Sequence, residues 1–516
     1  MGVRKWLGRG GLIVAGAAVL YGGLLAWGPG IERYGQDPAI APPQPVGDCR
    51  PPDELYGPWA KAAIAFEHFD SGRTHNFGCA TFGGTHDGAN IVSARQLPGR
   101  YPTPYNWVID EAGNGYVYGG AYGDFPGVPG SFVAKIAPDG SEVWRRQLFD
   151  APAHPERWNY PGVVGLHRNG SLYAVFGASL ARIDPDSGEA IATIELPSSD
   201  PANTAYNGFN GFADGALVMK TVNRAKGCDL QGFSAFLRCE AALEVGPSEI
   251  AVVDPDSMQV IASVTAPEHI GGRLTATRWQ GVDRLYLAGE QSMFRYNWDG
   301  KALALDEGWG PVSFMREGQT PAPAAAVIGG WIVAQTNALP AKTPMSLVAI
   351  SQRDGRMVRI DPFADLPFWA APPPRRSFLP AMLTVDPDNG RVYVMDAAMG
   401  LVAAYDFDQG DGSFELLWRV RQRTMNFSTL IGPPGQRVFV ATDIGRFCPL
   451  LSCLRSYQQE GVVFRDAATG RELARSGPLP KMTSGALVTP ANGGELRYLG
   501  LAGEVFALSV APAPSR

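Results

Sequence analysis

From about residue 105 onward, the apolar positions come in short runs rather than at helical spacing. Runs such as WVI, GYVYG and FVAKI, rich in β-branched and aromatic residues, predict buried strands. Between paired runs stand turns built on aspartate with glycine or serine: Asp139-Gly140, Asp184 to Gly188, Asp254 to Ser257, Asp299-Gly300, Asp354-Gly355, Asp411-Gly412 and Asp466 to Gly470. The hairpin returns every 45 to 70 residues or so, and that period predicts the blades of an all-β propeller.

Seven blades are expected, at about 105–148, 159–197, 205–267, 272–312, 320–363, 377–422 and 425–480. The last segment, 482–512, supplies only three strands, which would leave an open sheet edge. The run Asn90 to Leu97 (NIVSARQL) has the length to be the missing outer strand and close the ring. Counting it gives eight blades over 89–512, with seven left open as the alternative.

Ahead of the repeats the pattern changes twice. Arg4, Lys5 and Arg9 precede an uncharged stretch from Gly10 to Gly30, long enough at about 1.5 Å per residue to span a bilayer as a helix. An uncleaved signal anchor over 1–30 is the expectation. A cleaved signal peptide ending near Ala39-Ile40-Ala41 is the alternative. Either places the propeller in the periplasm or outside the cell, and the uncleaved anchor makes the cytoplasmic membrane the partner of the N-terminal helix. Residues 31–88 read as a linker and cap, with one helical stretch from Glu54 to His68.

Composition narrows the function classes. The 516 residues are 45% hydrophobic and only 18% charged, with 63 glycines and 43 prolines, which fits an all-β body with a large core. A formal net charge of −6 and the absence of any Lys/Arg-rich run exclude the electrostatic footprint of a nucleic-acid binder. Six cysteines suit an oxidising compartment. Fifteen connectivities are open to them, and the local pairs Cys49 with Cys79, Cys228 with Cys239 and Cys448 with Cys453 close the shortest loops. No CxxC, CxxCH or vicinal pair occurs, so these cysteines read as staples.

Two hairpins, Arg182-Ile183-Asp184-Pro185-Asp186-Ser187-Gly188-Glu189 and Phe464-Arg465-Asp466-Ala467-Ala468-Thr469-Gly470-Arg471-Glu472-Leu473, carry an Asp-x-x-Thr-Gly-like turn. The chain in this respect resembles the quinoprotein-type propellers, an eight-bladed family that includes pyrroloquinoline quinone (PQQ) dehydrogenases and outer-membrane assembly lipoproteins. The resemblance implies the fold. The tryptophan that ends the family repeat and docks neighbouring blades stands at Trp144, four residues after Gly140, but Ala192 and Ala474 hold its place elsewhere. The dehydrogenases' vicinal disulfide over the quinone and haem attachment motif are both missing, which counts against PQQ. The lipidated cysteine of the assembly lipoproteins has no counterpart near residue 30.

The residues at the expected starts of inner strands offer candidate chemistry. Asparagines stand beside aromatics in Tyr105-Asn106-Trp107, Trp158-Asn159-Tyr160, Tyr206-Asn207, Phe209-Asn210 and Met425-Asn426-Phe427, while Arg273, Thr275, Arg376 and Phe378 start strands of two further blades. Such a ring at the channel mouth is expected to bind a polar ligand or, through amide oxygens, calcium. The competing reading makes each asparagine a turn cap. His68, His75 and His86, with Asp70 and Asp87, are candidates for metal binding, at a spacing that matches no recognisable ligand motif. The segment Asp406 to Gly412 is one residue out of register with a calcium loop and reads as a hairpin tip. The best overall expectation is a ligand- or protein-binding module or assembly scaffold, with a small polar ligand or an envelope protein as partner. A PQQ-dependent dehydrogenase and a calcium-assisted lactonase or esterase are the alternatives.

Overall fold

The computed structural model describes residues 53–123, 128–235, 239, 245–321, 323–338, 343–366, 382–444, 459–483 and 485–514. The expected anchor over 1–30, Cys49, Arg376, Phe378, Cys448 and Cys453 lie outside them. Among the described residues no helix is long and apolar enough to cross a membrane.

Eight antiparallel sheets form the body, each an up-and-down run of four main strands, with short additional strands in three of them. Blades 1 to 7 cover 104–147, 164–195, 204–265, 274–313, 319–360, 384–421 and 429–480. Blade 8 takes three strands from 489–512 and its fourth from Asn90–Gln96. That strand pairs with Val505–Pro512 from Asn90↔Pro512 to Gln96↔Phe506, so the ring closes as its pattern predicted.

Burial explains the runs. Every residue of the inner strand Thr204–Gly211 is buried, whereas the outer strand Glu142–Gln147 is exposed or half-buried throughout. Inner strands pack on both faces against neighbouring blades and therefore read as continuous apolar runs. The turns follow their composition too. Asp466 accepts the amides of Ala468 and Thr469 at 3.0 and 2.9 Å, and Gly470 takes a φ of 78° that a side chain resists. The segment from Asp408 is likewise a hairpin tip, its carboxylate bonded to the Gly410 amide at 2.7 Å.

In five blades the outer strand carries a β-bulge just past the turn, the extra residue being Val143, Ile191, Ile261, Leu417 or Leu473. The bulge aims the next residue at the neighbouring blade. There Trp144 donates to Pro185 O at 3.2 Å and Trp418 to Ala467 O at 3.1 Å, each indole lying on the turn glycine of the next blade. Trp418 therefore docks as Trp144 does. It stands six residues after Gly412 because its bulge lies two paired residues further along the strand than that of Trp144.

Candidate functional site

The segment expected to cap one face instead fills the channel. Its helical part is the single turn Asp53–Tyr56, and the predicted helix to His68 is absent. Beyond it the backbone bonds to one inner strand after another: Ala60 N to Leu166 O of blade 2, and Ile64 with Ile109 of blade 1. Ser71 O receives Ala276 of blade 4, Gly72 O receives Val327 of blade 5, and Thr74 O receives Val385 of blade 6. Asn76–Phe77 then adds a parallel strand to Thr429–Ile431 of blade 7. Blade 3 is reached through Ser71 Oγ to Gly211 O at 3.0 Å. These bonds satisfy polar groups that inner strands would otherwise leave bare, and they outweigh helix propensity.

The plug has an apolar base and a charged apex. Tyr56, Trp59, Ile64, Phe66, Phe69 and Phe77 are buried, and Trp59 stacks on Phe66 with ring centroids 3.9 Å apart. The base meets the ends of inner strands, at Leu166, Ile109 and Gly211, so it sits at the face of short hairpin turns. The apex at Glu67 meets Arg273, which precedes its inner strand, at the other end of the channel. Four bulky residues here have positive φ: His68 at 66°, Phe69 at 79°, Arg73 at 57° and His75 at 58°. Such backbone persists only where its surroundings over-determine it.

Glu67 is shared by two arginines, with Arg73 Nη1 3.2 Å from Oε2 and Arg273 Nε 3.2 Å from Oε1. Burial opposes its charge, but Arg273, then His68 and Arg73, hold the carboxyl well below its ordinary range. His68 is itself pushed down to about 4 by burial, so near neutral pH the arginines carry that effect. His68 Nδ1 and His75 Nε2 lie 2.5 Å apart, within hydrogen-bond distance, while His75 Nδ1 faces Thr384 Oγ1 at 3.2 Å. Burial also drives Lys220, facing Arg273 and Arg73, well below its usual value. Asp70, bonded to Thr74, is raised to about 7 by burial. Glu67 and His68, with Tyr105, Asn106 and Trp107 of blade 1, line a cavity with about 20 Å³ for the centre of a water-sized sphere, room for one water.

The predicted asparagines are buried and stitch strands together. Asn106 Oδ1 receives Val164 N of the next blade at 2.6 Å, and Asn210 Nδ2 donates to Leu274 O at 3.1 Å and Ser71 O at 2.9 Å. Asn207 donates to Gly271 O and Gly272 O, and Asn426 to Thr442 and Glu460. Asn159 receives Ser131 Oγ and the Gly232 amide, which folds the Cys228–Cys239 insertion of blade 3 back over blades 1 and 2. There Phe233 stacks on Tyr122 and leans on Tyr160, and Tyr122 stacks on Tyr105. Arg273 covers Tyr105 at 5.3 Å. Trp107 is buried in the wall of the cavity. Cys79 is also disulfide-bonded, its partner lying outside the described residues.

The histidine trio separates. His68 and His75 meet in the channel, whereas His86 bonds Asp466 at 3.1 Å on the outer turn of blade 7. Among the described residues no group of three His, Cys, Asp or Glu side chains is placed to hold a metal. Calcium is a poor match for the apex, because both oxygens of Glu67 face guanidinium groups. A quinone does not fit either, since plug side chains fill the axis at the level of the inner strands. Glu67 and Arg73 were missing from the sequence expectation because no periodicity marks a plug, and Lys220 because it is a lone cation within the buried strand Leu217–Asn223 of blade 3.

No family model and no curated protein matches the sequence. Solved structures do match the fold. Quinohemoprotein alcohol dehydrogenase from Comamonas testosteroni is 11% identical, with 88% of this chain and 81% of that chain covered and a TM-score of 0.52. BamB from Moraxella catarrhalis is 13% identical over 81% and 100%, with a TM-score of 0.50. A europium-containing methanol dehydrogenase is 8% identical over 88% and 98%, with a TM-score of 0.53. At such identities the likeness carries fold alone. The chain has the quinoprotein-like, eight-bladed β-propeller fold.

Proposed function

We propose that the protein is a membrane-anchored binding module or assembly scaffold outside the cytoplasm. It engages an envelope protein or a small polar ligand through the face opposite the short hairpin turns. The observation that supports this reading is the filled channel: the axial space in which a substrate or cofactor would be held is taken by residues 56–77. At the other face long stretches of sequence separate consecutive strand ends, between Gly119 and Phe132, Asn223 and Glu249, Ala338 and Leu347, Ile360 and Thr384, and Asp443 and Gln459. Connections on a rigid scaffold are where binding residues concentrate.

The reading is tested with a photo-crosslinking residue placed in the native membrane at Phe233 on the long-loop face, or at Asp299 on the turn face. A discrete adduct from position 233 alone is expected. Adducts from position 299 alone would reverse the face, and none from either would remove the scaffold reading.

A further inference from the structure

Two arginines converge on one carboxylate at the apex of the plug, and the charges do not balance. Arg73 is fully buried and Arg273 is 5% exposed, so neither can recruit bulk water. Arg73 donates through Nε to Leu274 O and through Nη1 to Glu67, and Arg273 through Nε to Glu67. The Nη2 atom of each is shielded and without a hydrogen-bond partner. A buried guanidinium nitrogen left this way costs the desolvation of its donors, and two on neighbouring cations cost it twice.

Among the described residues, the charged and titratable groups around them leave the excess in place. Within the plug, Glu67 supplies one negative charge, His68 and His75 are kept neutral by burial, and Asp70 is turned to Thr74 and raised to about 7. From the blades, burial holds Tyr105 and Tyr118 neutral, Tyr160 brings no positive charge, and Lys220, whose charged form burial and both arginines disfavour, supplies no negative charge. Among the described residues, two guanidinium groups against one carboxylate leave a surplus of one positive charge in a water-poor interior, where an unpaired charge is strongly disfavoured.

We propose that the upper channel binds a small monovalent anion, the size of a halide or formate, against the Nη2 atoms of Arg73 and Arg273. A single negative charge matches the surplus. The site does not depend on the binding-module reading, because it would hold the plug in place whatever the outer face engages.

The test uses the full chain in detergent, dialysed into gluconate, a bulky anion, and titrated with chloride, bromide or formate at constant ionic strength. Binding to the folded state alone should raise the melting temperature saturably, on the order of a few degrees at high occupancy. Arg273→Met should lose the response, while Arg145→Met, at an exposed guanidinium, should keep it. Crystals grown with bromide should show anomalous density within reach of both Nη2 atoms. Equal melting temperatures in chloride and gluconate, or a chloride response surviving in Arg273→Met, would overturn the site. Should Arg273→Met not fold, the bromide density decides alone, its absence overturning the proposal.

Discussion

The two faces of this propeller are built on different rules. On one, hairpins close with aspartates that bind their own turn amides, and glycines at Gly188 and Gly470 lie under indoles of the preceding blade. On the other, long insertions cross from blade to blade, as when Gly232 and Phe233 of blade 3 bond to Asn159 and Tyr122. The first face is specified residue by residue and leaves little freedom. The second uses contacts distant in sequence and holds its loops to one another. The plug joins them, its apolar base at the turn face and its charged apex towards the loops.

The comparison breaks most completely if the ring loses its N-terminal parts. A chain begun after residue 100 lacks both the plug and the strand Asn90–Gln96, and it should give no folded monomer by sedimentation. A monomer as heat-stable as the intact propeller would refute the closure.

Next in size is Glu67→Gln. It strands two buried guanidinium groups and should cost about 3–5 kcal/mol in urea unfolding, since breaking a buried ion pair leaves uncompensated charge. Breaking the pair of exposed Arg100 with half-buried Glu504 should cost under about 1 kcal/mol. Similar losses from both would mean the apex is not the desolvated triad described.

On the turn face, Gly470→Ala forces a side chain into positive φ and places Cβ 2.7 Å from Trp418. A loss of about 1–3 kcal/mol is expected. No change in the unfolding midpoint would mean that the indole does not rest on this glycine.

A smaller, pH-dependent effect sharpens the contrast at the apex. Burial lowers His68 from 6.5 to about 4, and it also lowers His75, so their contribution is complete above pH 6.5 and is lost as pH falls towards 4. Asp70 is raised from 3.8 to about 7, so its contribution is present below pH 3.8 and lost as pH rises through 7. The histidine side should dominate in Asp70→Asn, whose urea midpoint should fall between pH 6.5 and 4.5. A flat profile in that variant would contradict the buried imidazole pair. Reduction of Cys228–Cys239 should do least, speeding hydrogen exchange at Gly232 and Phe233 while the melting temperature of the blades moves little. A collapse of the whole propeller on reduction would show that the loop face is not separable from the ring.

Much of the ring was legible because its rules are local. Asp-Gly turns, strand-length apolar runs and the spare strand at Asn90 each carry their own signal. Trp418 escaped the repeat because its bulge lies two paired residues further from the turn, although the bulge at Leu417 gives it the docking position of Trp144. The plug was illegible for a physical reason: Phe69, Arg73 and His75 adopt backbone that no propensity favours, imposed by eight surrounding blades. A signal was present nonetheless. Trp59, Phe66, Phe69 and Phe77 form an aromatic series with no strand pattern, and such residues need a core somewhere.

The closing strand and the plug also set an order of assembly. Asn90–Gln96 waits for Val505–Pro512, at the far end of the propeller sequence, while residues 56–77 meet inner strands that follow them along the chain. The segment that becomes the axle thus precedes the wheel. Blades must gather around it rather than admit it afterwards, and the last hydrogen bonds of the ring cannot form until nearly the whole propeller has been made. Contacts of such long range slow folding and prolong exposure of open sheet edges. Propeller biogenesis should therefore depend on keeping the early aromatic segment from associating elsewhere while the ring grows.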